Sequence, residues 1–582
     1  MATPGVYLMK KLDMATKALL PSKRAIWARL TTLACAAGAA FSCSDDASSP
    51  LPTGTGGTAA ITGGASAKSG GAASGGTGGA GVTAGVGATG GAAMAGAGTG
   101  GASGGANGAS GGQAGAAGLA GAGGASGGAP SSTGGAGGQA GAPVAGAPGS
   151  GGQAATSYTE FSSPVPVSPT EADRFFGVTF DPEGRVYATG YVVGGNGDSR
   201  VALVRFLSNG NLDTGFGTFG VVTLNTTVGA GTTDQGRSVR VQSDGRVVVA
   251  GYTQNASNML DRDVVVARFT SSGTLDTTFG NLGLTILDIN AATPTTGAPD
   301  TLWDMDLDAT DRIVLFGVTE ALDIRTDQER FVARLTKDGA LDTSFAAAST
   351  LPGVFTHDLD ALGLADQARG GFVQADGKIL ASGYTPVGGN NEVVLVRLND
   401  NGTPDPTFSG GGVVRSAVFP APGMAEAYGA VRQSDGKYVT TGYGREAASP
   451  APVDLVSFRY GSDGAHDTSW NGGGALIHNV GVNDRGRNLL GLPDDRIVMV
   501  GTATPVDSED AMVVLVRNTG ALETTFGTIA KPGYRLFDFG GADEEFYGVA
   551  LSPDKRLLAI VGYRSGGVIT NDDATLLLLP VP

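Results

Sequence analysis

One five-residue turn pattern recurs seven times in this chain and constrains its fold more than any other feature. Neighbouring copies are 61, 66, 66, 59, 59 and 60 residues apart, and a fixed period of this length is the signature of a repeat architecture. Asp-Gly between apolar runs predicts a tight β-hairpin whose turn needs a positive φ, so a residue other than Gly is strained there. The central residues are Gly184, Gly245, Asp311, Gly377, Gly436, Asp495 and Lys555.

Each copy contains four short strand-like segments. In the second copy they read SVRVQ before the turn, RVVVAGY after it, then DVVVARF and LTILDI. No helical periodicity separates them, and four strands about every 60 residues is the arithmetic of a β-propeller blade. The sequence therefore predicts an all-β, seven-bladed β-propeller over residues 157–582. An array of two-sheet sandwiches would leave the seven copies with a shared turn unexplained.

Three separated pieces of the repeat carry a family resemblance. QSDGRVVVAGY, VVVARF and SSGTLDTTFG recur at fixed offsets, and their combination resembles the bacterial delta-60-repeat family. The resemblance covers residues 173–582, although copy six shortens its third hairpin and copy seven lacks the LDTxFG piece. It implies a β-propeller of tandem repeats, often in exported proteins, that serves as a scaffold. It brings no catalytic residues.

An arginine precedes an aspartate by eight residues in five copies. A guanidinium and a carboxylate can bond bidentately, so the spacing predicts a pair that locks the third hairpin, with LDTxFG as a corner. In copy six Arg517 precedes Glu523 by six residues, and in copy seven Leu578 holds the arginine position. The predicted structural pairs are Arg205 with Asp213, Arg268 with Asp276, Arg334 with Asp342, Arg397 with Asp405 and Arg459 with Asp467.

A carboxylate stands eleven residues before the turn centre in six of the seven copies. If these residues begin the strand nearest the axis, they form an acidic ring at one mouth of the central channel, where oxygen ligands suit a hard cation such as Ca²⁺. The alternative is a turn cap in which each carboxylate accepts backbone N–H bonds. The candidate ring is Asp173, Asp234, Asp300, Asp366, Asp484 and Glu544, with Ala425 in the remaining copy.

A glycine occupies the same place in all seven second strands. Glycine inside a strand marks a bulge or a close approach of backbone. In five copies it is followed by a tyrosine, which suggests an aromatic platform for sugars or, alternatively, packing between blades. The tyrosines are Tyr191, Tyr252, Tyr384, Tyr443 and Tyr563.

The last copy ends after its third strand, so its blade lacks an outer strand. An open blade would expose an unpaired apolar edge. The segment YTEFSSPVPV at residues 158–167 is polar and rich in Pro, which suits an outermost strand. We expect it to pair with residues 574–579 and to complete blade seven.

The first 156 residues differ in composition from the rest. Residues 1–43 combine a basic stretch, an apolar run at residues 30–41 and small residues before Cys43, which resembles a bacterial lipoprotein signal. Cys43 is then the lipidated residue, and ordinary cleavage near Ala40 is the alternative. Residues 44–156 are almost entirely Gly, Ala, Ser and Thr, so they predict a disordered tether that buries too little apolar surface to offset chain entropy.

Charge and cysteine usage exclude several functions. Residues 1–156 hold seven of the 38 Lys and Arg and three of the 54 Asp and Glu, which leaves a net charge of −20 on the body. Such a body repels phosphate backbones, so we expect no nucleic-acid partner. Cys35 and Cys43 are the only cysteines, so the body has no disulfide and no thiol site.

The remaining features favour binding over catalysis. Connections that vary in length share one propeller face, where recognition residues usually lie. His357, His466 and His478 show neither metal-ligand nor triad spacing. We therefore expect a monomeric, non-enzymatic binding or display scaffold, held by a lipid at the bacterial outer membrane or cell surface, with an envelope protein or glycan as partner. A periplasmic or secreted location, a structural spacer, and a glycan hydrolase or lyase that uses loop carboxylates are the alternatives.

Overall fold

The structure is a computed structural model that describes residues 160–582, except 165–166, 169–170, 227–231, 256–257, 290–298, 321–327, 360–364, 389, 448–450, 506–507, 541–542 and 567–570. The predicted signal at residues 1–43, the lipidation of Cys43 and the predicted tether at residues 44–156 lie outside the described residues. Within the described part, no helix is long and apolar enough to cross a membrane.

Seven four-stranded antiparallel sheets make up the body, which confirms the predicted seven-bladed β-propeller. The innermost strand of each sheet contacts the innermost strands of both neighbouring sheets, so the seven blades close a circle. The blades are numbered here in chain order.

The strand bounds repeat from blade to blade. Blade one contains β2 (Asp173–Phe180), β3 (Val186–Val193), β4 (Ser199–Phe206) and β5 (Val221–Leu224). Blade two contains β6 (Asp234–Val241), β7 (Val247–Asn255), β8 (Asn258–Phe269) and β9 (Leu284–Leu287). Blade three contains β10 (Thr301–Leu307), β11 (Ile313–Glu320), β12 (Gln328–Leu335) and β13 (Val354–His357). Blade four contains β14 (Gln367–Val373), β15 (Ile379–Val387), β16 (Asn390–Leu398) and β17 (Val413–Ser416).

The last three blades include the departures from the repeat. Blade five contains β18 (Met424–Arg432), β19 (Tyr438–Arg445), β20 (Asp454–Tyr460) and β21 (Ala475–His478), with a 3₁₀ turn at Trp470–Gly472. Blade six contains β22 (Arg485–Gly491), β23 (Ile497–Ala503), β24 (Asp510–Val516) and β27 (Tyr534–Phe537), with a small ribbon of β25 (Gly527–Thr528) and β26 (Lys531–Pro532). Blade seven contains β28 (Glu544–Leu551), β29 (Leu557–Ser565), β30 (Asp572–Pro580) and β1 (Phe161–Pro164).

The hydrophobic core lies between blades. Seven clusters of buried apolar side chains each combine residues of two neighbouring blades, for example Val248 and Val266 of blade two with Leu315 and Phe331 of blade three. The second and third strands are covered on both faces. They therefore read as continuous apolar runs such as VVVA, without the alternation of a strand with one solvated face.

The recurrent turn joins the first and second strands of every blade and has the predicted backbone conformation. Gly245 has a φ of 82°. The non-glycine residues take the same conformation, with φ of 63° at Asp311 and Asp495 and 62° at Lys555. Positive φ costs these three residues steric strain that Gly avoids.

The propeller closes as the sequence predicts. β1 pairs antiparallel with β30, with Phe161 opposite Leu578 and Pro164 opposite Thr575. Pro164 lies on the outermost strand, where a missing N–H breaks no ladder bond on the solvent side. The chain ends of the propeller thus share blade seven.

A β-bulge in each innermost strand explains the second-strand glycines. In blade two the pairing of β6 with β7 skips Arg237, between Gly236 and Ser238. A Cβ atom on Gly251 would lie 1.8 Å from the carbonyl oxygen of Gln235, so only Gly fits opposite the bulge. The same close approach recurs at Gly190, Gly317, Gly383, Gly442, Gly501 and Gly562.

Candidate ligand-binding site

The bulged residue of each innermost strand belongs to a closed ring of seven side chains around the propeller axis. Each member contacts the next from blade to blade, and the last contacts the first. Aromatic rings and guanidinium groups alternate around this axial ring, apart from one pair of neighbouring aromatic residues. The axial ring is Phe176, Arg237, Trp303, Arg369, Tyr428, Arg487 and Tyr547.

Cation–π contacts link the members of the axial ring. The Cζ atom of Arg237 lies 4.3 Å from the ring centroid of Phe176 and 4.7 Å from that of Trp303. Arg369 lies 4.0 Å from Trp303 and 5.0 Å from Tyr428. The Cζ atom of Arg487 lies 5.2 Å from the centroid of Tyr428 and 5.6 Å from that of Tyr547. An edge contact of 5.0 Å between the centroids of Phe176 and Tyr547 closes the circle. The distances from the guanidinium groups to the ring centroids all lie within the range at which an aromatic face stabilises a cation.

The three arginines of the axial ring are buried. Arg237, Arg369 and Arg487 are only 6%, 7% and 8% exposed. Arg487 donates to a carboxylate oxygen of Glu545 at 2.6 Å. Arg369 takes part in no salt bridge among the described residues, its Nη2 reaches the hydroxyl of Tyr384 at 3.3 Å, and its Nε has no hydrogen-bond partner. The axial ring therefore holds a buried positive charge that the described part of the protein does not pair directly.

A second layer of aromatic residues backs the axial ring. The five second-strand tyrosines lie against it, with ring distances of 5.9 Å from Phe176 to Tyr191 and 5.5 Å from Tyr428 to Tyr443. Four of the five are buried. This placement matches packing between blades, the alternative to an exposed platform. The remaining members are Tyr252, Tyr384 and Tyr563, beside Arg237, Arg369 and Tyr547 in that order.

A cavity of about 540 Å³ extends from the axial ring along the inner strands toward the constant turns. Its far end is lined by Gln374, Arg432 and Gly491, which lie at the ends of the first strands. The described residues of the variable connections, which the repeat pattern favours for recognition, do not line this cavity. A volume of this size suits a small-molecule ligand.

Charged groups in the wall of this axial cavity are partly paired. Arg240 lies 3.3 Å from Asp306 and 3.7 Å from Asp304, both on β10 of the next blade. Burial raises the pKa of Asp304, against the opposing effect of Arg240. The lining as a whole contains five arginines and two aspartates, so the cavity is positive within an acidic body.

The carboxylates of the predicted cation ring lie at the starts of the first strands, as the spacing predicts, but they do not line the axial cavity. All six are at most 1% exposed. Asp173 accepts N–H bonds from Val167, Ser168 and Ala574 at 2.7–2.9 Å. Asp234 accepts a bond from the N–H of Thr226 at 2.7 Å.

The other strand-start carboxylates of the predicted ring follow this pattern. Asp300 accepts from the N–H of Ile289 at 2.6 Å, and Asp484 accepts from Val480 and Gly481. Asp366 accepts from the N–H of Leu359 and from Arg330, and Glu544 is buried at the start of β28. The geometry is that of the capping alternative, and cation binding by this ring stays a prediction.

One of these carboxylates belongs to a separate acidic group. Asp263, Asp288 and Asp300 each offer an oxygen, and the three oxygens lie within 4.8 Å of one another. Burial, together with the charges of neighbouring carboxylates, raises the pKa of Asp300 to about 8 and that of Asp263 to about 6. At the corresponding boundary of blades three and four, Arg330 lies 3.1 Å from Asp366 and offsets its charge.

The predicted arginine–aspartate pairs are all present as salt bridges. The Nε atom of each arginine donates to Oδ2 of its aspartate at 2.8–2.9 Å. The contact is single rather than bidentate, and Nη1 donates to a carbonyl oxygen in the hairpin of the next blade. For Arg205 this acceptor is Ser271, at 2.5 Å. The pairs therefore connect neighbouring blades as well as locking one hairpin.

The corner phenylalanine completes this arrangement. The guanidinium of Arg205 lies 4.5 Å from the centroid of Phe216, and the other four arginines lie 4.5–4.9 Å from the aromatic residue of their own corners. In blade six Leu515 takes the arginine position on β24, and Arg517 binds Glu523 from a half-exposed position at 3.0 Å. That hairpin is not shortened, since it carries the added ribbon of β25 and β26.

The three histidines do not line the axial cavity. His466 contacts the carbonyl oxygen of Gly474 at 2.9 Å, and burial lowers the pKa of His478 to about 4. Burial also lowers the pKa of His357. The described structure thus gives them packing roles.

Sequence reasoning missed the axial ring, although a signal for it exists. Its seven members all stand eight residues before the turn centre, a position occupied by F, R, W, R, Y, R and Y in chain order. The bulge that directs them to the axis is marked only indirectly, by the glycine on the next strand.

The fold and its axial site define a β-propeller built of sequence repeats. The chain matches the family described as "Domain of unknown function (DUF5122) beta-propeller" over residues 182–216, 242–279, 314–345 and 374–408, which supports a β-propeller repeat family. No curated protein matches the chain.

Solved structures resemble the protein at low identity. A polysaccharide lyase, Uly1, is 10% identical over 72% of this chain and 91% of its own, with a TM-score of 0.41. An alpha-L-arabinanase from Penicillium chrysogenum is 11% identical over 72% of this chain and 98% of its own, with a TM-score of 0.35. A glucose dehydrogenase is 12% identical over 72% of this chain and 100% of its own, with a TM-score of 0.33. These values are too low to transfer an activity.

Proposed function

We propose that this protein is an exported, lipid-anchored β-propeller that acts as a non-enzymatic binding scaffold at the cell envelope and holds its ligand in the axial cavity. The observation that carries the proposal is the axial cavity itself. It has a suitable volume, its base is the axial ring, and its walls are rigid strands contributed by all seven blades. Rigid walls hold polar groups in place for a ligand without loss of chain entropy on binding.

The charged groups in the axial cavity support binding rather than hydrolysis. Glycan hydrolysis needs two carboxylates on opposite sides of the scissile bond. The two carboxylates of the lining, Asp304 and Asp306, come from the same strand and share Arg240 as a partner. No observation among the described residues favours the alternative of a glycan hydrolase or lyase.

Export and anchoring rest on the sequence of residues 1–43. A basic stretch, a short apolar run and Cys43 after small residues are the parts of a lipoprotein signal. A lipid on Cys43 would connect the propeller to the membrane through residues 44–156.

A blocking variant tests the site of binding. Gly491 lines the axial cavity at the end far from the axial ring, and a Cβ added there meets no atom within 4 Å. Gly491→Phe in the full chain should fill the cavity without unfolding the blade. Small metabolites and oligosaccharides are screened by thermal shift with the parent protein, and each hit is repeated with the variant. Hits that bind the parent and the variant equally would place the ligand elsewhere.

The same hits separate a binding protein from an enzyme. Each is incubated with the full chain and followed by mass spectrometry. Recovery of the unchanged ligand supports the scaffold, whereas a product that disappears with Gly491→Phe would establish the enzyme alternative. Gly195→Phe is the matched control, since Gly195 also has open space around it and does not line the axial cavity.

A further inference from the structure

We infer that the ligand of the axial cavity is a small organic oxyanion, with a carboxylate or sulfate group held at the axial ring. This inference rests on the proposed function, because it assigns the chemistry of the same site. Three features of the site support it: the polar atoms of the axial ring, the charge around them and the aromatic surfaces beside them.

Two nitrogen donors of the axial ring are buried at the base of the cavity without a hydrogen-bond partner. Nε of Arg369 and Nε1 of Trp303 both lack a hydrogen-bond partner, and the guanidinium lies 4.0 Å from the centroid of the indole. Neither group has a lone pair to accept a bond, so a ligand group that approaches either nitrogen must present an acceptor. Leaving a buried donor unsatisfied is costly, which is the reason to look for a missing partner there.

The charge at the base of the cavity selects an anion among acceptors. Arg369 is 7% exposed and forms no salt bridge in the described part of the chain, and Glu426 acts on it only as an indirect electrostatic partner. Arg487, by contrast, has Glu545 at 2.6 Å. Aromatic faces offset part of the cost of burying a guanidinium, but a carboxylate offsets more and bonds it in fixed geometry. An oxyanion beside Arg369 would supply that charge.

The aromatic members of the axial ring favour an organic anion over a bare inorganic ion. Phe176, Trp303 and Tyr428 surround the arginines and present apolar surface to the same space. The cavity, at about 540 Å³, is far larger than an inorganic oxyanion requires. A carbon framework on the oxyanion would cover this surface and gain affinity by excluding water.

Matched pairs of probes test the inference. Glucuronate and glucose differ at one carbon, a carboxylate against a hydroxymethyl group, and benzoate and benzyl alcohol differ in the same way. We expect calorimetry on the full chain to show binding of at least one anionic member, at least about tenfold tighter than its neutral partner. Arg369→Met, which keeps length and removes the charge, should abolish that preference. Arg185→Met is the control and should leave the preference unchanged, because Arg185 is partly exposed and pairs with the buried Asp181 outside the cavity.

Each outcome decides between the two proposals. Failure of both anionic probes to bind at about 10 mM overturns the assignment of an organic oxyanion. A different result is equal binding of the charged and neutral probes, with binding lost in Gly491→Phe but kept in Arg369→Met. That result would overturn the assignment of an anionic ligand and leave the cavity as the binding site. Tighter binding of free sulfate than of either organic anion would contradict the organic class. A melting temperature for Arg369→Met within about 5 °C of the parent shows that lost binding is not lost folding.

Discussion

Phe161 of β1 lies against Gly210, so closely that a Cβ on Gly210 would stand 2.5 Å from the Cδ1 atom of the ring. The same contact exists between Phe216 and Gly273, Phe279 and Gly339, and Phe408 and Gly464, where the aromatic residue belongs to the LDTxFG corner of the preceding blade. Blade seven has no such corner. The closing strand therefore supplies the missing aromatic side chain as well as the fourth strand.

Removing this side chain should weaken the closure of the propeller. Phe161→Ala is expected to destabilise the protein by about 2 kcal/mol, less than a fully buried Phe because Phe161 is half-buried. Guanidinium chloride unfolding measures the change. The neighbouring exposed residue gives the control Ser162→Ala, which should stay within about 0.5 kcal/mol of the parent. Similar effects from both variants would show that Phe161 has no special role.

The arginine–aspartate pairs differ in burial and should differ in energy. Arg397→Ala removes the partner of Asp405, the bond to the carbonyl of Ser462 and the contact with Phe408. We expect a loss of about 3 kcal/mol, because Asp405 stays buried and, among the described residues, keeps only Lys378 as a cationic partner. Arg517→Ala breaks the exposed pair with Glu523 and should leave the melting temperature close to that of the parent. Equal losses in thermal unfolding would contradict the interblade role.

The second-strand glycines should tolerate no side chain. Gly251→Ala places a Cβ 1.8 Å from the carbonyl oxygen of Gln235, so the bulge must shift or the blade must open. The expected result is insoluble protein, or a melting temperature lower by about 10 °C or more. Gly195→Ala, with no atom within 4 Å of the added Cβ, should match the parent. A folded Gly251→Ala protein with parental stability would show that the bulge is not fixed.

Stability should depend on pH through buried carboxylates. Burial raises the pKa of Asp300 to about 8 and that of Asp173 to about 7, above their ordinary value in the unfolded chain. Between pH 4 and 8 the folded protein then holds more protons than the unfolded chain. The contribution of these two protonated carboxyls to the free energy of unfolding is therefore full at pH 4 and is lost as the pH rises toward 8. Hydrogen bonds from Lys378 and Thr407 lower the pKa of Asp405 despite burial, so its contribution is lost in acid, as the pH falls through the lowered pKa.

Melting temperatures in EDTA should therefore be highest near pH 4–5 and fall by at least about 3 °C by pH 8. Asp300→Asn keeps a side-chain oxygen that can accept from the N–H of Ile289, and it removes the carboxyl group that titrates. It should flatten the fall above pH 5 and raise the melting temperature at pH 8. A pH profile identical to that of the parent would show that Asp300 titrates normally.

Lipidation is tested in the export pathway. We expect expression of the full chain in a bacterium that processes lipoproteins to give incorporation of a fatty-acid analogue, which Cys43→Ala abolishes. Cys35→Ala is the control, since Cys35 leaves too short an apolar run before it. Labelling that persists in Cys43→Ala would move the anchor elsewhere or leave the protein secreted.

The sequence alone determined the number of blades, the four strands of each blade, the positive-φ turns and the closing strand. These features depend on local chain geometry and on a period of about 60 residues, and both are visible in the order of residues along the chain. The arginine–aspartate spacing also followed from the sequence, because both partners lie in one hairpin.

Only the tertiary structure decided what lies at the axis. The residues of the axial ring come from seven blades, and their contacts exist because a bulge turns each of them inward and the circle closes. Nothing local distinguishes Arg369, which meets Trp303 from the preceding blade, from an arginine on a solvent face. The surroundings of the strand-start carboxylates also depend on the tertiary structure. Asp173 and Asp300 have no exposed surface, and the N–H groups that reach them come from segments distant along the chain or from loops whose paths the repeat does not specify.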